Sequence, residues 1–338
     1  MKTVIIGANG AGKSTMFYHF NGILKPKEGT VYYDGKPLEY TRDALSDLRN
    51  KVSIVVQNPD EQIFSSTVEE DVAFGPLNMS IERDEVERRI VTSLEKVGML
   101  EYRERPTVKL SYGQRKRVAL AGALACEPEV LILDEPTAGL DPQMSQEVME
   151  LVNELCLAGT TVIISTHDVD LAYTWAEEIH VLRKGKLIYS GSPEPFFANT
   201  EEVALSGLVK PHTFSINSTF ESLRGRDEAP YPRTNSQLLA KLSTPDAKIG
   251  VIRMIPFDKE ISEIPQVCGN IGIYGSRTRR AVRESKTRVD YYFNAIEGCC
   301  LDAMSGLDSV LVYDIELESL VRDTISVLGK FGKVPEMI

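Results

Sequence analysis

A glycine-rich stretch near the start of the chain has the residues to bind phosphate groups. Residues 7–14 (GANGAGKS) fit the pattern G-x-x-x-x-G-K-[ST] without a gap, between a predicted strand and a predicted helix. Its glycines let backbone N–H groups turn towards phosphate oxygens, and the helix N-terminus adds its dipole. We expect Lys13 to reach the β- and γ-phosphates of a nucleotide and the Ser14 hydroxyl to bind Mg²⁺. The alternative is an ordinary glycine-rich turn. The candidate nucleotide-binding residues are Gly7, Ala8, Asn9, Gly10, Ala11, Gly12, Lys13, Ser14 and Thr15.

Two adjacent carboxylates follow a second apolar strand, which is predicted over residues 130–133 (VLIL). An Asp at the end of such a strand is how phosphate-loop enzymes place a carboxylate on Mg²⁺, and this predicts that role for Asp134. Glu135 comes next and can polarise an attacking water, a general-base role worth roughly 10²–10⁴ in rate. The alternative is a solvated acidic strand end before Pro136.

The elements that position these residues alternate between short apolar strands and amphipathic helices, a pattern typical of a parallel α/β sheet. Strands are predicted at Lys2–Ile6, Thr30–Tyr33, Val52–Val56, Val130–Leu133 and Thr161–Ser165, with a hairpin inside His180–Tyr189. Helices are predicted at Lys13–Leu24 and Ile81–Val97.

A change of composition at Gly225–Gln237, which is rich in Gly, Pro and charged residues, predicts a linker. We therefore expect a first domain over 1–210, a linker over 211–245 and a small open α/β domain over 246–338. In the last domain, strands are predicted at Ile249–Ile255, Asn270–Tyr274, Arg288–Phe293 and Ser309–Tyr313, and helices at Ser276–Ser285, Ala295–Met304 and Ile315–Leu328.

The composition argues against two classes of protein. The chain has 338 residues, and its 38 basic and 49 acidic residues give a net charge of −11, which is unfavourable for general nucleic-acid binding. The longest apolar run, 118–126, is about half the length of a membrane-spanning helix. Five cysteines in a chain of this length make no disulfide framework, and this favours a reducing, cytosolic setting.

A third motif, Leu110-Ser111-Tyr112-Gly113-Gln114, makes the pattern specific. With the glycine-rich loop and the Asp134–Glu135 pair, it resembles the ABC-type ATPase family. In the same order, Gln57 matches the family's Q-loop, 138–141 (AGLD) its D-loop and 166–168 (THD) its switch-histidine segment. The resemblance covers about residues 1–210. It implies a P-loop NTPase fold, the ABC cassette, with a helical signature subdomain, followed by the small open α/β domain.

The resemblance also implies roles for these residues. Two cassettes are expected to pair head to tail, as a homodimer or a heterodimer, with two ATP molecules at the interface. Ser111, Gly113 and Gln114 would contact the nucleotide of the partner cassette, and Asp141 would belong to the D-loop. Gln57 would bind ATP and join Ser14 and Asp134 around Mg²⁺. His167 would contact the γ-phosphate and position the water with Glu135; as a lone residue it would more often be structural.

A narrower resemblance surrounds Gln57. Residues 57–64 (QNPDEQIF) and 67–76 (TVEEDVAFGP) are similar to the cassettes of energy-coupling-factor importers, in particular the cobalt type. In ABC transporters this region receives integral membrane subunits, so we expect a peripheral protein on the cytoplasmic face of the cell membrane. Cobalt or another micronutrient is the expected solute, although the chain has no recognisable metal cage. The alternative is a polar loop followed by an ordinary helix.

Two features depart from the family pattern. Tyr112 stands where the commonest signature has Gly, so its side chain must either point away from the nucleotide or crowd it; we expect it to be tolerated because Ser111, Gly113 and Gln114 are intact. Cassettes of the family also normally carry about thirty residues before the first strand, including an aromatic that stacks on adenine. The resemblance therefore predicts either that the natural start lies upstream or that this chain binds ATP weakly and depends on partners for stability.

The C-terminal domain offers weaker signals for a regulatory role. Residues 271–276 (IGIYGS), with Arg277, Arg279, Arg280 and Arg283, could form an anion pocket at a helix N-terminus, but a solvated basic face is favoured. Cys299 and Cys300, with Cys268 as a further thiol, invite a metal or redox site, but buried apolar packing is favoured.

The sequence thus predicts the ATP-hydrolysing, energy-coupling subunit of a membrane importer. One rival is a soluble, non-transport ABC ATPase that acts on nucleic acid or on macromolecular assembly. Another is a nucleotide-sensing regulatory protein with little hydrolysis, which Glu135 and His167 argue against and the N-terminus argues for. Co-purification with integral membrane subunits would separate the first rival from the importer.

Overall fold

The computed structural model describes residues 2–79, 81–244, 246–258 and 269–338. The chain divides into two compact units, Met1–Val209 and Lys210–Ile338. In the described part of the chain, none of the helices has the length and apolar character to cross a membrane.

The first unit is an α/β domain with a mixed sheet. Its strands are β1 Lys2–Ile6, β2 Tyr32–Tyr33, β3 Lys36–Pro37, β4 Val52–Val55, β5 Val130–Asp134, β6 Thr161–Thr166, β7 Glu178–Arg183 and β8 Lys186–Gly191. Its α-helices are α1 Lys13–Phe20, α2 Arg42–Lys51, α3 Val68–Leu77, α4 Arg83–Lys96, α5 Tyr112–Ala125, α6 Pro142–Leu157, α7 Val169–Trp175, α8 Pro193–Ala198 and α9 Thr200–Ser206. Short 3₁₀ turns lie at Pro59–Glu61, Leu100–Tyr102 and Thr107–Lys109.

The sheet of the first unit runs in the order β4–β5–β6–β1–β7–β8. Neighbours from β4 to β7 are parallel, and β8 returns antiparallel to β7 through a turn at Lys184–Gly185. Both turn residues have positive φ, as a two-residue hairpin requires. Ile5 and Ile132 pack in one cluster with Phe17 of α1, and the alternate residue Val4 is equally buried. The central strands are therefore covered on both faces, as is usual for a parallel sheet.

Three helices, α3, α4 and α5, pack against one another beside the sheet and form the helical subdomain. α3 and α5 each begin with a capping box, which the sequence encodes as Thr67 with Glu70 and Ser111 with Gln114. In each box the hydroxyl accepts from the N–H three residues later, and the acid or amide accepts from the capping residue's own N–H. The signature motif thus begins a helix whose first turn is held by reciprocal hydrogen bonds between side chains and backbone N–H groups.

The second unit is a smaller α/β domain with its own core. Its helices are α10 His212–Arg224, α11 Asn235–Leu242, α12 Ser276–Ser285, α13 Ala295–Met304 and α14 Glu318–Ser326. Its strands are β9 Val251–Phe257, β10 Asn270–Tyr274, β11 Ser309–Asp314 and β12 Glu336–Met337, and 3₁₀ turns lie at Ile315–Leu317 and Val327–Lys330. The parallel strands run in the order β10–β11–β9–β12. Ile252, Leu311 and Cys299 are fully buried at the centre of one cluster.

The interval 211–245, which the composition predicted as a linker, contains α10 and α11 and belongs to the second unit. Phe214 is fully buried and stacks on Tyr231, with ring centroids 5.1 Å apart. The Lys241 ammonium donates to Asn217 Oδ1 at 2.8 Å and to the Glu228 carbonyl at 2.6 Å. This polar stretch therefore contains a small packed layer, and its longest described part without helix or strand is residues 225–234.

The strand predicted at Arg288–Phe293 is wrong. Only Tyr291 forms a bridge, to Gly272, and the chain then turns into α13. The Tyr291 hydroxyl donates to Asp302 at 2.9 Å, and its ring lies against Gly298, which has no room for a Cβ. Packing onto α13 therefore overrides the local β-propensity.

Candidate functional site

Four loops meet at one edge of the first unit's sheet. They follow β1, β4, β5 and β6, whose carboxyl ends lie side by side because these strands are parallel. Ligands of open α/β sheets bind at this edge. The topology therefore brings together the glycine-rich loop, Gln57, the Asp134–Glu135 pair and His167, which are far apart in sequence.

The glycine-rich loop has the backbone that a phosphate cradle needs. Gly10 and Gly12 have φ of 78° and 105°, values that side chains with a Cβ rarely adopt. A Cβ at Gly7 would collide with the Leu182 carbonyl of β7. The Gly185 N–H donates to the Ala11 carbonyl at 2.8 Å, so the β7–β8 turn braces the loop. Gly12 then leads directly into α1 at Lys13.

Lys13 is 7% exposed and points into the loop. Its ammonium donates to the Gly7 carbonyl at 2.8 Å and lies 3.3 Å from Glu135 Oε1. A positive charge held by one carbonyl and one carboxylate is placed to bind an anionic group at the same edge.

The paired carboxylates end β5, where Asp134 and Glu135 are 3% and 5% exposed. The Ser165 hydroxyl of β6 donates to Asp134 Oδ1 in a short hydrogen bond. The Glu135 N–H lies 3.1 Å from Ser165 Oγ and 3.2 Å from the Ser165 carbonyl. Glu135 has φ of 48°, an unusual value for a residue with a side chain. Ser165 therefore fixes both the carboxylate of Asp134 and the backbone of Glu135.

His167 follows β6 and approaches Glu135 from the solvent side. Its Nδ1 lies 2.9 and 3.0 Å from the two Glu135 carboxylate oxygens, and its side chain is 56% exposed. The Glu135 carboxylate thus lies close to both the Lys13 ammonium and the His167 imidazole. A carboxylate beside an imidazole and an ammonium can take a proton from water or orient that water.

Gln57 lies exposed after β4, the neighbour of β5 in the sheet. Its backbone carbonyl accepts a weak hydrogen bond from the Tyr112 hydroxyl at 3.4 Å. The Tyr112 ring also lies against Gly139, where a Cβ would come within 2.9 Å of it. The signature's tyrosine therefore packs between the segments that contain Gln57 and Asp141.

The signature residues contact their own helix and α6. Ser111 Oγ accepts from the Gln114 N–H at 3.3 Å, and Gly113 has no room for a Cβ because Met144 lies against it. Asp141 caps α6, with Oδ1 accepting from the Met144 N–H at 2.7 Å. Within one chain these residues form one packed group; their contact with a partner's nucleotide stays a prediction.

Two residues of the site, Ser165 and Lys116, were not predicted. Ser165 stands opposite Asp134 in the β5–β6 register, a relation that only strand pairing defines. Lys116 lies in a basic run, Arg115–Arg117, that favours an exposed face, yet it is 4% exposed. Its helical spacing from Gly113 and Leu120, both buried, was the signal that could have placed it inside.

The anion pocket considered for the second unit is filled by the chain itself. Asp314 at the end of β11 accepts hydrogen bonds from the Arg277 and Thr278 N–H groups at the start of α12. Arg277 forms an ion pair with Glu316, and Arg280 lies 3.0 Å from Glu284. A carboxylate of the same domain therefore caps this helix, and Arg277 and Arg280 make solvated ion pairs, while Arg279 is buried against the Phe293 ring.

The cysteine pair of the second unit is buried in its core. Burial raises the pKa of Cys299 to about 12 and also raises the pKa of Cys300. Cys299 Sγ contacts the Val310 carbonyl at 3.7 Å. Both thiols are thus packed as small apolar groups, while Cys268 lies outside the described residues.

Comparison with known sequences shows the family of this chain. Residues 1–138 match the family described as ABC transporter. The chain is 37% identical over 343 residues to the energy-coupling factor transporter ATP-binding protein EcfA2 of Methanospirillum hungatei, covering 97% of this chain and 86% of that protein. It is 47% identical over 226 residues to EcfA of Methanocaldococcus jannaschii, covering 67% of this chain and 80% of that one.

Two solved structures are also similar to this chain. The structure of cbiO1 from Clostridium perfringens, described as part of the ABC transporter complex cbiONQ, matches with 46% identity and a TM-score of 0.53, over 60% of this chain and 80% of that one. The dimeric post-hydrolysis cassette MJ0796 bound to ADP and Pi matches with 30% identity and a TM-score of 0.53, over 57% of this chain and 85% of that one. This chain therefore belongs to the family of ABC transporter ATPases, among the energy-coupling factor transporter ATP-binding proteins.

Proposed function

We propose that this chain is the ATP-hydrolysing subunit of an energy-coupling-factor importer, with Glu135 as the general base. The observation that carries this proposal is the position of the Glu135 carboxylate, 3.3 Å from the Lys13 ammonium and 2.9 Å from His167 Nδ1. Lys13 belongs to the phosphate loop, so Glu135 lies beside the place where the β- and γ-phosphates would bind. A base at that position meets the water that attacks the γ-phosphate.

The nucleotide would be held by the loop residues Gly7–Thr15, with Gln57 at the neighbouring strand end. The donor set for Mg²⁺ consists of the Ser14 hydroxyl, the Gln57 side-chain carbonyl and the Asp134 carboxylate, all hard oxygen ligands that suit this ion. Ser165 orients Asp134 through one carboxylate oxygen, which is the support that a metal-binding carboxylate needs. When bound, the ion would offset the negative charge of the phosphates.

The proton of the attacking water would pass to Glu135. His167 contacts both oxygens of that carboxylate through Nδ1, which leaves its Nε2 for a phosphate oxygen. The ring would thereby hold Glu135 and the γ-phosphate in one geometry. Lys13 would offset the negative charge of the phosphates. To do so, its ammonium would contact both the phosphates and the Glu135 carboxylate.

A second cassette would complete each site. Ser111, Gly113 and Gln114 stand at the N-terminus of α5, where the helix dipole favours an anion. A γ-phosphate bound to the partner cassette is the anion that this terminus suits, with Asp141 beside it at the start of α6. ATP would then close the dimer, and loss of the γ-phosphate would release it.

An apolar patch beside Gln57 is the proposed contact with the membrane subunits. It consists of Phe64, Phe74 and Leu77, which are 67%, 52% and 63% exposed. The two rings meet edge to face with centroids 4.7 Å apart. The loop is held rigidly, because Asp71 Oδ1 accepts from the Phe64 N–H at 3.0 Å. Three large apolar side chains on a fixed surface are typical of a protein interface.

A substitution in this patch tests the importer role. We expect Phe64→Asp to abolish co-purification with the membrane subunits and ATP-driven uptake, while the isolated chain keeps its ATPase rate. Leu157→Asp is the matched control, since Leu157 is also apolar and 47% exposed but lies at the end of α6. Full membrane recovery of the Phe64→Asp protein would contradict the docking proposal.

Gln62, which lies in the same loop, is unsuitable for that test. Its Oε1 accepts from the Val56 N–H at 3.1 Å and its Nε2 lies 3.4 Å from the Ile54 and Ala119 carbonyls. It braces the loop after β4, so a charge there would disturb the loop itself.

The solute proposed for the importer is cobalt or another micronutrient, carried into the cell across the membrane on whose cytoplasmic face this chain would dock. The support is the similarity of residues 57–76 to cobalt-type cassettes. Uptake of radioactive cobalt in cells that express the chain with its membrane subunits tests this proposal. Competition by a tenfold excess of nickel or of an organic vitamin would indicate that the competing micronutrient, rather than cobalt, is the preferred solute.

A further inference from the structure

Lys116 is a buried cation that the proposed reaction does not use. It lies on α5, five residues after Ser111, and is 4% exposed. Its ammonium donates to the Glu135 carbonyl at 2.8 Å and to the Ala138 carbonyl at 2.9 Å. These two carbonyls bracket the turn between Glu135 and the D-loop, and the Ala138 N–H closes that turn by donating to the Glu135 carbonyl at 3.1 Å.

We propose that Lys116 is a positioning residue that ties the orientation of Glu135 to the placement of the signature helix in the same chain. α5 begins at the residues proposed to bind the partner's nucleotide, whereas Glu135 acts on the nucleotide of its own chain. Lys116 links the backbone of Glu135 to the helix that begins at those signature residues. Hydrolysis at one ATP site would therefore depend on the position of the signature helix at the other ATP site. This inference rests on the proposed function, because it needs Glu135 as base and a dimer of cassettes.

The surrounding contacts favour a rigid connection. Tyr112 packs on Gly139, Met144 fills the space beside Gly113, and Arg117 lies 2.5 Å from Glu147 of α6. Lys116 is the member of this group that reaches the backbone of Glu135 itself. A shift of α5 would therefore pull on the turn that begins at Glu135.

The chemistry of the contact suits a mechanical link. A Lys ammonium has three N–H donors and no acceptor, so it holds two carbonyls at once without competing for the catalytic carboxylate. Hydrogen bonds from a charged donor are about twice as strong as neutral ones. Burial lowers the pKa of Lys116 to about 8, partly offset by the negative charge of Glu135. A cation is tolerated here because carbonyls and nearby carboxylates surround it.

A merely structural lysine is the alternative, and kinetics separate the two roles. The full 338-residue chain with Mg²⁺ and ATP is compared with Lys116→Met, Lys116→Arg and the control Lys96→Met, which changes an exposed lysine on α4. We expect Lys116→Met to lower kcat at least about tenfold, while KM and the ATP Kd stay within about twofold. Lys116→Arg, which keeps charged donors, should recover most of kcat, and Lys96→Met should match the wild type.

An unchanged kcat in Lys116→Met would overturn the inference. So would an Arg variant no better than Met, or a loss of ATP affinity as large as the loss of kcat, because these results indicate general damage to the fold. If Lys116→Met does not fold, Lys116→Gln must lower kcat at least about fivefold at unchanged KM. Glu135→Gln is measured in the same assay to separate the two proposals. Normal ATP hydrolysis by Glu135→Gln would contradict the proposed function itself. If Glu135→Gln is inactive but Lys116→Met is fully active, only the Lys116 inference is rejected.

Discussion

At the scale of single residues, the site joins groups that motifs reveal with groups that only packing reveals. Lys13, Glu135 and His167 could be predicted because each belongs to a local pattern beside a strand. Ser165 and Lys116 could not, because their roles depend on partners about 20 to 30 residues away, Asp134 and Glu135. A motif indicates which side chains are candidates for the chemistry, while strand register and helix packing determine what holds them.

The first prediction concerns Lys13. Lys13→Ala removes a buried ammonium that is placed for the phosphates, so we expect the ATP Kd to rise at least about tenfold. Titration with a fluorescent ATP analogue measures it, with Lys27→Ala, an exposed lysine, as control. Unchanged affinity in Lys13→Ala would contradict the role assigned to the loop.

The second prediction concerns pH and Lys116. Its pKa falls from 10.5 in the unfolded chain to about 8 in the folded one, so between these values the unfolded state binds more protons. The free energy of unfolding should therefore gain a rising component from pH 8 to 10.5. Urea denaturation of the wild type and of Lys116→Met across this range measures it. An identical pH slope in both proteins would show that Lys116 titrates normally.

At the scale of elements, the sequence specified strand and helix type better than their ends. β1, β10, α12 and α13 have the predicted bounds, but the first helix ends at Phe20 rather than at Leu24. Gly22 has φ of 69°, a conformation that ends the helix. The apolar residues beyond it continue the hydrophobic pattern, so the pattern alone did not show where the helix ends. Tyr291 shows a second limit of prediction from local sequence. Its β-propensity favours a strand, but its contact with α13, a partner outside the local sequence, overrides that preference.

The third prediction concerns the start of α3. Thr67→Ala removes a hydroxyl that accepts from the Glu70 N–H at 3.3 Å, and loss of such a cap costs roughly 1 kcal/mol. We expect the unfolding free energy of the first unit to fall by about that amount in urea, with ATP affinity unchanged. Thr200→Ala, at the first position of α9, is the control because it provides no side-chain cap. Equal stability of Thr67→Ala and wild type would mean that the capping box contributes nothing.

At the scale of the whole molecule, the chain joins two units with separate cores. The change of composition predicted two domains, but it assigned α10 and α11 to a linker because their surface residues are polar. The contacts that place these helices in the second unit, Phe214 on Tyr231 and Lys241 on Asn217, involve residues about 17 to 24 positions apart. Composition averages over such pairs and does not detect them.

The fourth prediction follows from that division. A chain ended at Val209 should fold and bind ATP like the full protein, since it keeps the first unit intact. A chain ended at Gly225 should aggregate more, because it keeps α10 and exposes Phe214 without Tyr231. Size-exclusion chromatography and ATP titration compare the two. Aggregation of the shorter chain would show that the first unit requires the second for stability.

The most direct test of the central claim is ATP turnover by Glu135→Gln, measured in the complex with the membrane subunits. We expect this variant to bind ATP with wild-type affinity, to hydrolyse it at least about 10²-fold more slowly and to accumulate as the closed dimer, because the amide cannot accept the proton of water. Glu101→Gln, which changes an exposed glutamate, should turn over ATP normally. Wild-type turnover by Glu135→Gln would contradict the assignment of the base and, with it, the proposed mechanism.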